Sequence, residues 1–195
     1  LDSTSTLYKL LRETCKGDSI QMKITAADFY QGLGGRVPDY LSDDEILSVT
    51  MTMVDKLTDA GHILYKTAYE ADAIKRYLAQ QRWNAIKEGG SNITYELLKQ
   101  NPYGKAINQK AKVSYVIKSL NEQLIARSMP EDPLIYDRGD KGLLKGIHLL
   151  VDKLKEGESL RAIVPSSYAY GADGNSKVPG YMPILIDLEV IEVLD

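Results

Sequence analysis

The chain is poor in several residues from which reactive centres are built. Its 195 residues contain one cysteine, Cys15, two histidines, His62 and His148, and one tryptophan, Trp83. A single thiol cannot close an internal disulfide, and this set lacks the clustered spacing of a zinc site. A thiol nucleophile would need a histidine beside it, whereas a lone cysteine is more often a packing residue. His148 lies within "GIHLLVDKL", where a half-exposed helix position accounts for it. No apolar run approaches the roughly 20 residues that a membrane helix needs, and no signal-peptide pattern is present. An excess of positive charge is also missing. With a net charge of -3 and a pI near 5.5, the chain lacks the cation clusters that bind phosphate backbones, which argues against a nucleic-acid partner. "GLGG" at 32–35 has neither the spacing nor the lysine of a phosphate loop, and "NIT" at Asn92 is too short a match to carry weight.

What remains is a soluble globular composition, 44% hydrophobic and 26% charged. The length has room for one ordinary domain and a smaller one. The chain begins at Leu1, not Met, which reads as a processed product whose targeting segment would precede it.

The C-terminal third has a regular order of elements. In "GIHLLVDKLKEG" Ile147, Leu150, Val151 and Leu154 recur at spacings of three and four, which predicts a short helix closed by Gly157. "ESLRAIVP" (158–165) alternates and stops at a proline, as a strand does. Residues 166–183 are rich in Ser, Gly, Asn and Pro and read as loop. In "ILIDLEVIEVL" Ile186, Leu188 and Val190 share one face and Asp187 and Glu189 the other, the period of a strand wet on one side.

A weaker copy precedes it. Leu7, Leu10 and Leu11 align with Ile147, Leu150 and Val151; Gly17-Asp18 aligns with Gly157-Glu158; Tyr30 aligns with Tyr170. "SIQMKIT" lies under "SLRAIVP", "ADFYQ" falls in the place of the loop around Tyr170, and Val49, Met51 and Met53 lie under Ile186, Leu188 and Val190. Similarity in the same order over about fifty residues is a repeat. We therefore expect a partial unit over 1–58, a helical linker over 59–90 with Ala71, Ile74 and Leu78 on one face, and a complete domain over 91–195. Trp83 is expected to pack on a neighbouring domain. "NITYELLKQ", "AKVSYVIKSL" and "QLIARS" supply the front strands of that domain. The front half missing from the first unit would precede Leu1, come from another chain, or be replaced by pairing onto the second unit; the first is preferred.

The run "LLKGIHLLVDKLKEGESLRAIVPSSYAYGADGNSKVPGYMPILIDLEVIEV" resembles the C-terminal half of an FKBP-type peptidyl-prolyl cis-trans isomerase. Its marks are an aliphatic pair and Lys-Gly before the helix, Gly-Glu before a strand, Pro then Tyr-Ala-Tyr-Gly, and a Val-Pro loop. The resemblance covers about 92–195 and, in half-copy, 1–57. The whole arrangement also resembles lipid-anchored envelope proteins of Bacteroides-like bacteria. It implies an α+β fold, a twisted antiparallel sheet of five or six strands wrapped around the helix 146–155. It implies a pocket between helix and sheet, covered by the loop after Tyr170, and a periplasmic or outer-membrane-surface setting through a removed N-terminal lipid anchor.

Carried across residue by residue, the resemblance places Tyr170 as the catalytic hydroxyl and Tyr115 as the second pocket tyrosine. Leu143 and Leu144 take the aliphatic pair, Leu144 offering a backbone N–H, and Val178 takes the loop position. The family's Phe-Asp pair is Ile125-Ala126 here, its tryptophan floor is Ile147, and two further phenylalanines are Leu134 and Ile186. The pocket carboxylate and aromatic floor are thus replaced by aliphatics, each of which also suits a plain core position. Two functions lead: a prolyl isomerase of weakened activity on X-Pro bonds of exported proteins, or a non-catalytic module that holds proline-containing or apolar peptide segments as a chaperone or assembly factor would; a plain scaffold between partners is the third. None uses a cofactor or a metal.

Overall fold

The computed structural model describes residues 5–129 and 131–194. The chain divides into two compact units, Leu1–His62 and Ile63–Asp195.

In the first unit the Ser5 hydroxyl accepts the N–H of Tyr8 and starts α1 (Thr6–Glu13). Strands β1 (Ser19–Thr25) and β2 (Ile46–Thr52) pair antiparallel, with Met22 opposite Val49. Between them the expected loop is partly helical. Thr25 Oγ1 accepts the N–H of Asp28 and caps α2 (Ala26–Gly32), whose first two residues are strong helix formers. Leu7, Ile24 and Ala26 are buried, but Met22, Leu47, Val49 and Met51 are only half covered. Among the described strands, β1 and β2 pair with each other alone.

The second unit contains most of α3 (Asp59–Gln80), then β3 (Ile86–Lys87), β4 (Thr94–Lys99), β5 (Lys110–Ser119), β6 (Leu124–Arg127) and β7 (Leu134–Asp137). Then come α4 (Lys145–Val151), β8 (Ser159–Val164), a 3-10 turn (Ser166–Tyr168) and β9 (Ile184–Leu194). The described strands form a seven-stranded sheet in the order β3-β4-β8-β9-β5-β6, with β7 also on β5. That is one strand more than the upper expectation of six: β3 is only two residues long, and β6 and β7, four residues each, share one side of β5.

One face of this sheet makes the core. Val113 and Ile117 of β5, Leu160 and Ala162 of β8, and Ile186 and Leu188 of β9 pack with Ile147, Leu150 and Val151 of α4. Burying each large aliphatic is worth about 1.5–3 kcal/mol. α4 sits hard against β8 at Gly146, where an added Cβ would stand 2.6 Å from Val164 Cγ1. The helix stops at Val151, short of the expected 155, because Lys153 and Leu154 donate to carbonyls three residues back and tighten the last turn.

α3 differs from expectation in length and in face. It ends at Gln80, where the chain bends so that the Asn84 N–H reaches Glu96 Oε1 on β4. Ala71 is exposed, while Glu70 is buried and Ile74, Tyr77 and Leu78 are half-buried, so the covered face is turned by one residue. Trp83 packs edge-on against Tyr77 and under the Arg161 guanidinium of β8.

The two units use the same backbone device at aligned positions. Gly17 and Gly157 both have positive φ, +93° and +77°, as glycine readily allows. Gly17 N–H donates to the Met53 carbonyl and Met53 N–H to that of Asp18, each at 2.8 Å. In the second unit Gly157 N–H donates to Val190 at 2.8 Å and Val190 N–H to Glu158 at 3.0 Å.

Candidate functional site

The site is built where α4 meets the sheet. Leu144 precedes α4 in a non-helical conformation, and its carbonyl accepts the N–H groups of Ile147 and His148. Leu143 and Leu144 stay half-buried there. Tyr115 lies on β5 opposite Leu188 of β9. Its N–H is held by Ser128 Oγ, and its carbonyl accepts the Ser128 N–H. Ala126 on β6 faces Ile117.

The loop from β8 to β9 carries Tyr170. The Ser166 carbonyl accepts the N–H groups of Ala169 and Gly171 at 2.9 and 2.8 Å, which folds the chain on either side of Tyr170. Tyr170 itself accepts the Gly174 N–H on its carbonyl. Farther along, Asn175 Oδ1 accepts the N–H groups of Lys177 and Val178. Gly174 and Gly180 make this loop possible: a Cβ at Gly180 would fall 1.8 Å from the Ala172 carbonyl oxygen.

Tyr115, Ile125, Ala126, Leu143, Leu144 and Tyr170 all pack, half-buried, on the core cluster that contains Ile147 and Ile186. Those two are 3% and 1% exposed, so a ligand reaches little of either. Val178 is buried within the loop, and Leu134 is half-buried on β7; neither belongs to this cluster. Burial pushes the Tyr170 phenol above its ordinary pKa, and the nearby Tyr115 adds to the shift. Tyr170 therefore stays a protonated hydrogen-bond donor throughout the neutral range. The N–H of Leu144 donates to no other described residue. What the arrangement offers is an apolar patch, two phenols and one backbone donor, with no group placed for nucleophilic attack.

Three features escaped the sequence reading. Tyr168 and Ala169 join the same half-buried set. His148 is bonded through both ring nitrogens, Nδ1 to the Tyr136 hydroxyl at 3.1 Å and Nε2 to the Asp140 carbonyl at 2.9 Å. A carbonyl only accepts, so Nε2 carries the proton and in the neutral ring Nδ1 accepts from Tyr136. The third is Glu70 of α3. Its Oε1 accepts the Ser166 N–H at 2.5 Å and its Oε2 accepts the Ser166 hydroxyl at 2.8 Å. A signal existed: Glu70 is one helical turn before Ile74, on the covered face.

Among the described residues no group of three or more His, Cys, Asp or Glu could hold a metal ion, and no helix is long and apolar enough to cross a membrane.

Known proteins share this architecture. A peptidyl-prolyl cis-trans isomerase from Pseudomonas syringae superposes with a TM-score of 0.57 at 20% identity, covering 72% of this chain and 98% of its own. FkpA from Escherichia coli superposes with a TM-score of 0.54 at 17% identity, covering 71% of this chain and 74% of its own. At these identities the likeness speaks for the fold. Residues 104–191 match the sequence profile of the FKBP-type peptidyl-prolyl cis-trans isomerases. The match takes in α4, Tyr170, the loop beyond it and most of β9, and over that segment the second unit is similar to the FKBP-type peptidyl-prolyl cis-trans isomerases.

Proposed function

We propose that the second unit binds X-Pro segments on the patch between Tyr115, Tyr170 and the Leu143-Leu144 pair, and speeds their cis-trans interconversion weakly. The observation that carries this reading is that two phenols, Tyr170 kept protonated by burial and Tyr115 close enough to act on it, pack on the same apolar core as Leu143 and Leu144. The chemistry needs no acid or nucleophile. Rotation about an amide is opposed by about 18–20 kcal/mol of resonance-derived barrier. The twisted amide has lost that resonance and is less dipolar, so an apolar, water-poor surface favours it over the planar ground state. In this scheme the Tyr170 O–H anchors a peptide carbonyl, the Leu144 N–H a second one, and Tyr115 supplies an aromatic wall.

Weakness follows from what the patch lacks. Ile147 and Ile186 are almost sealed, Ala126 carries no charge, and the aromatic stacking that would add roughly 0.5–1.5 kcal/mol is confined to the two tyrosines. The same facts favour a second reading, a peptide-holding module without catalysis. An exchange measurement on a short X-Pro peptide separates them. A rate above the uncatalysed one that falls with Tyr170→Phe supports the isomerase. A wild-type rate equal to the uncatalysed one, with activity gained in Ala126→Asp/Ile147→Trp, removes it and leaves the holding module. A peptide titration without saturation would remove that reading too.

The first unit we read as a partial second copy of the fold, on the strength of the aligned glycine and strand hydrogen bonds. The exported, lipid-anchored setting rests on the resemblance of the two-unit arrangement alone; membrane fractionation of cells producing the full-length protein tests it.

A further inference from the structure

We propose that Glu70 of α3 is a positioning residue for Tyr170, so that the helix ahead of the domain sets the geometry of the peptide site. The inference rests on the reading of Tyr170 given above, but it can be tested apart from it. Both oxygens of the Glu70 carboxyl are taken by one residue, Ser166, through its backbone N–H at 2.5 Å and its hydroxyl at 2.8 Å. Both residues are buried. Two bonds from one rigid acceptor fix the position and the orientation of the Ser166 peptide, which a single bond would leave free to pivot.

Ser166 is also the hub of the loop ahead of Tyr170. Its carbonyl accepts the N–H groups of Ala169 and Gly171, the two residues flanking Tyr170. The path from α3 to the phenol is therefore Glu70, the Ser166 peptide, then the backbone on both sides of Tyr170. None of these steps passes through a long flexible side chain except that of Glu70, which is held at both oxygens. Beside this path runs a groove of about 590 Å³ lined by Ile74 and Leu78 of α3 and by Pro165, Ala172 and Tyr181 of the loop. That open groove leaves less packing between helix and loop on this side. The two Glu70 bonds tie helix and loop across it.

A carboxyl buried without its partners would be costly, so Glu70 could be argued to anchor the helix and nothing more. The two roles differ in what they move. An anchor changes stability; a positioning residue changes the environment of the Tyr170 ring in protein that is still folded.

The test uses the full chain with labelled tyrosine, the Tyr170 ring signals being assigned by Tyr170→Phe, and Glu70→Ala, Glu70→Gln and Ser166→Ala variants. Glutamine keeps an acceptor for the Ser166 N–H and a donor for its hydroxyl, so it should leave the Tyr170 ring signals in place. Glu70→Ala should shift them and lower kcat/KM on an X-Pro peptide roughly tenfold, given how steeply rate depends on placement. Adding Ser166→Ala to Glu70→Ala should change little more, because both act on one contact. Unmoved Tyr170 signals in folded Glu70→Ala, or equal shifts with Ala and Gln, would overturn the proposal. If Glu70→Ala does not fold, Ser166→Ala decides, and unmoved signals there would overturn it. Absence of isomerase activity in the wild type would count against the proposed function only; the ring signals would still decide the role of Glu70.

Discussion

Gly146→Ala should unseat α4, and the sign of the effect follows from two opposed quantities. Alanine is the better helix residue by about 0.5–1 kcal/mol. Against that, the new Cβ would meet Val164 Cγ1 at 2.6 Å and the Tyr168 carbonyl oxygen at 3.0 Å, where ordinary contact begins at 3.4 Å. Neither neighbour can give way cheaply. Val164 is fully buried, and the Tyr168 oxygen is backbone in a turn set by Ser166 and its bonds. Overpacking of this kind costs about 1–3 kcal/mol, so the variant should be less stable by about 1–2 kcal/mol. Trp83, the only tryptophan, lies in the same unit and reports its unfolding by fluorescence in urea. With a slope of about 2 kcal/mol/M, the midpoint should fall by about 0.5–1 M without a change in slope. Val164→Ala removes the nearer atom, so the same substitution made in that background should cost less, by at least about 0.5 kcal/mol of coupling. A midpoint at or above wild type, or an equal cost in the two backgrounds, would refute the steric account of the glycine.

Other outcomes are expected from the same structure. Leu150→Ala should cost about 2–5 kcal/mol by the Trp83 urea assay, since the side chain is 1% exposed and central to the core, whereas Leu98→Ala, on an exposed position of β4, should stay within about 0.5 kcal/mol. Gly180→Ala should disrupt the loop that carries Tyr170, because its Cβ would collide with the Ala172 backbone; the urea midpoint should fall and saturable X-Pro peptide binding should weaken severalfold, and unchanged peptide binding in the folded variant would count against the loop's part in the site. The Tyr77 phenol, raised to about 12 by burial and then by the Glu122 carboxylate it donates to, should make stability pH-dependent. Its contribution is complete below the ordinary value of 10, falls as the unfolded chain ionises, and is lost once pH passes about 12. The urea midpoint should decline over that window less steeply in Tyr77→Phe than in wild type, and equal slopes would remove Tyr77 as a cause.

The fold was largely legible because its signals are periodic and local. β9 declared itself through Ile186, Leu188 and Val190 against Asp187 and Glu189, and α4 through Ile147, Leu150 and Val151. The bounds were less legible. The end of α3 at Gln80 is set by an Asn84 bond to Glu96 on another element, and the turn after Val151 by carbonyls within the helix itself. For α2 the two signals conflict: alignment gives a loop, whereas Thr25 as cap before two alanines favours the helix that forms. Aligning sequences carries over the order of elements better than the conformation of the segments between them.

The site was legible by a different route and to a different depth. Resemblance named the ring of aliphatics, and most of them do come together on one cluster. It could not tell which would be reachable, because Ile147 and Ile186 are sealed by neighbours contributed from α4, β5 and β8, and such burial depends on the whole packing. Resemblance was also blind to Glu70. That residue precedes the matched segment 104–191, and its partner Ser166 is 96 residues away in sequence. A buried carboxylate on the covered face of a helix must find donors somewhere; periodicity can say that it is buried, but only the folded chain says that the donors stand at the entrance of the Tyr170 loop. If α3 positions that loop, the working unit extends ahead of the matched family segment. The helix before the domain is then part of the site, and a chain begun at Ser91, which keeps β4 and every later strand but drops α3, should bind and turn over X-Pro peptides less well than one that begins at Ile63.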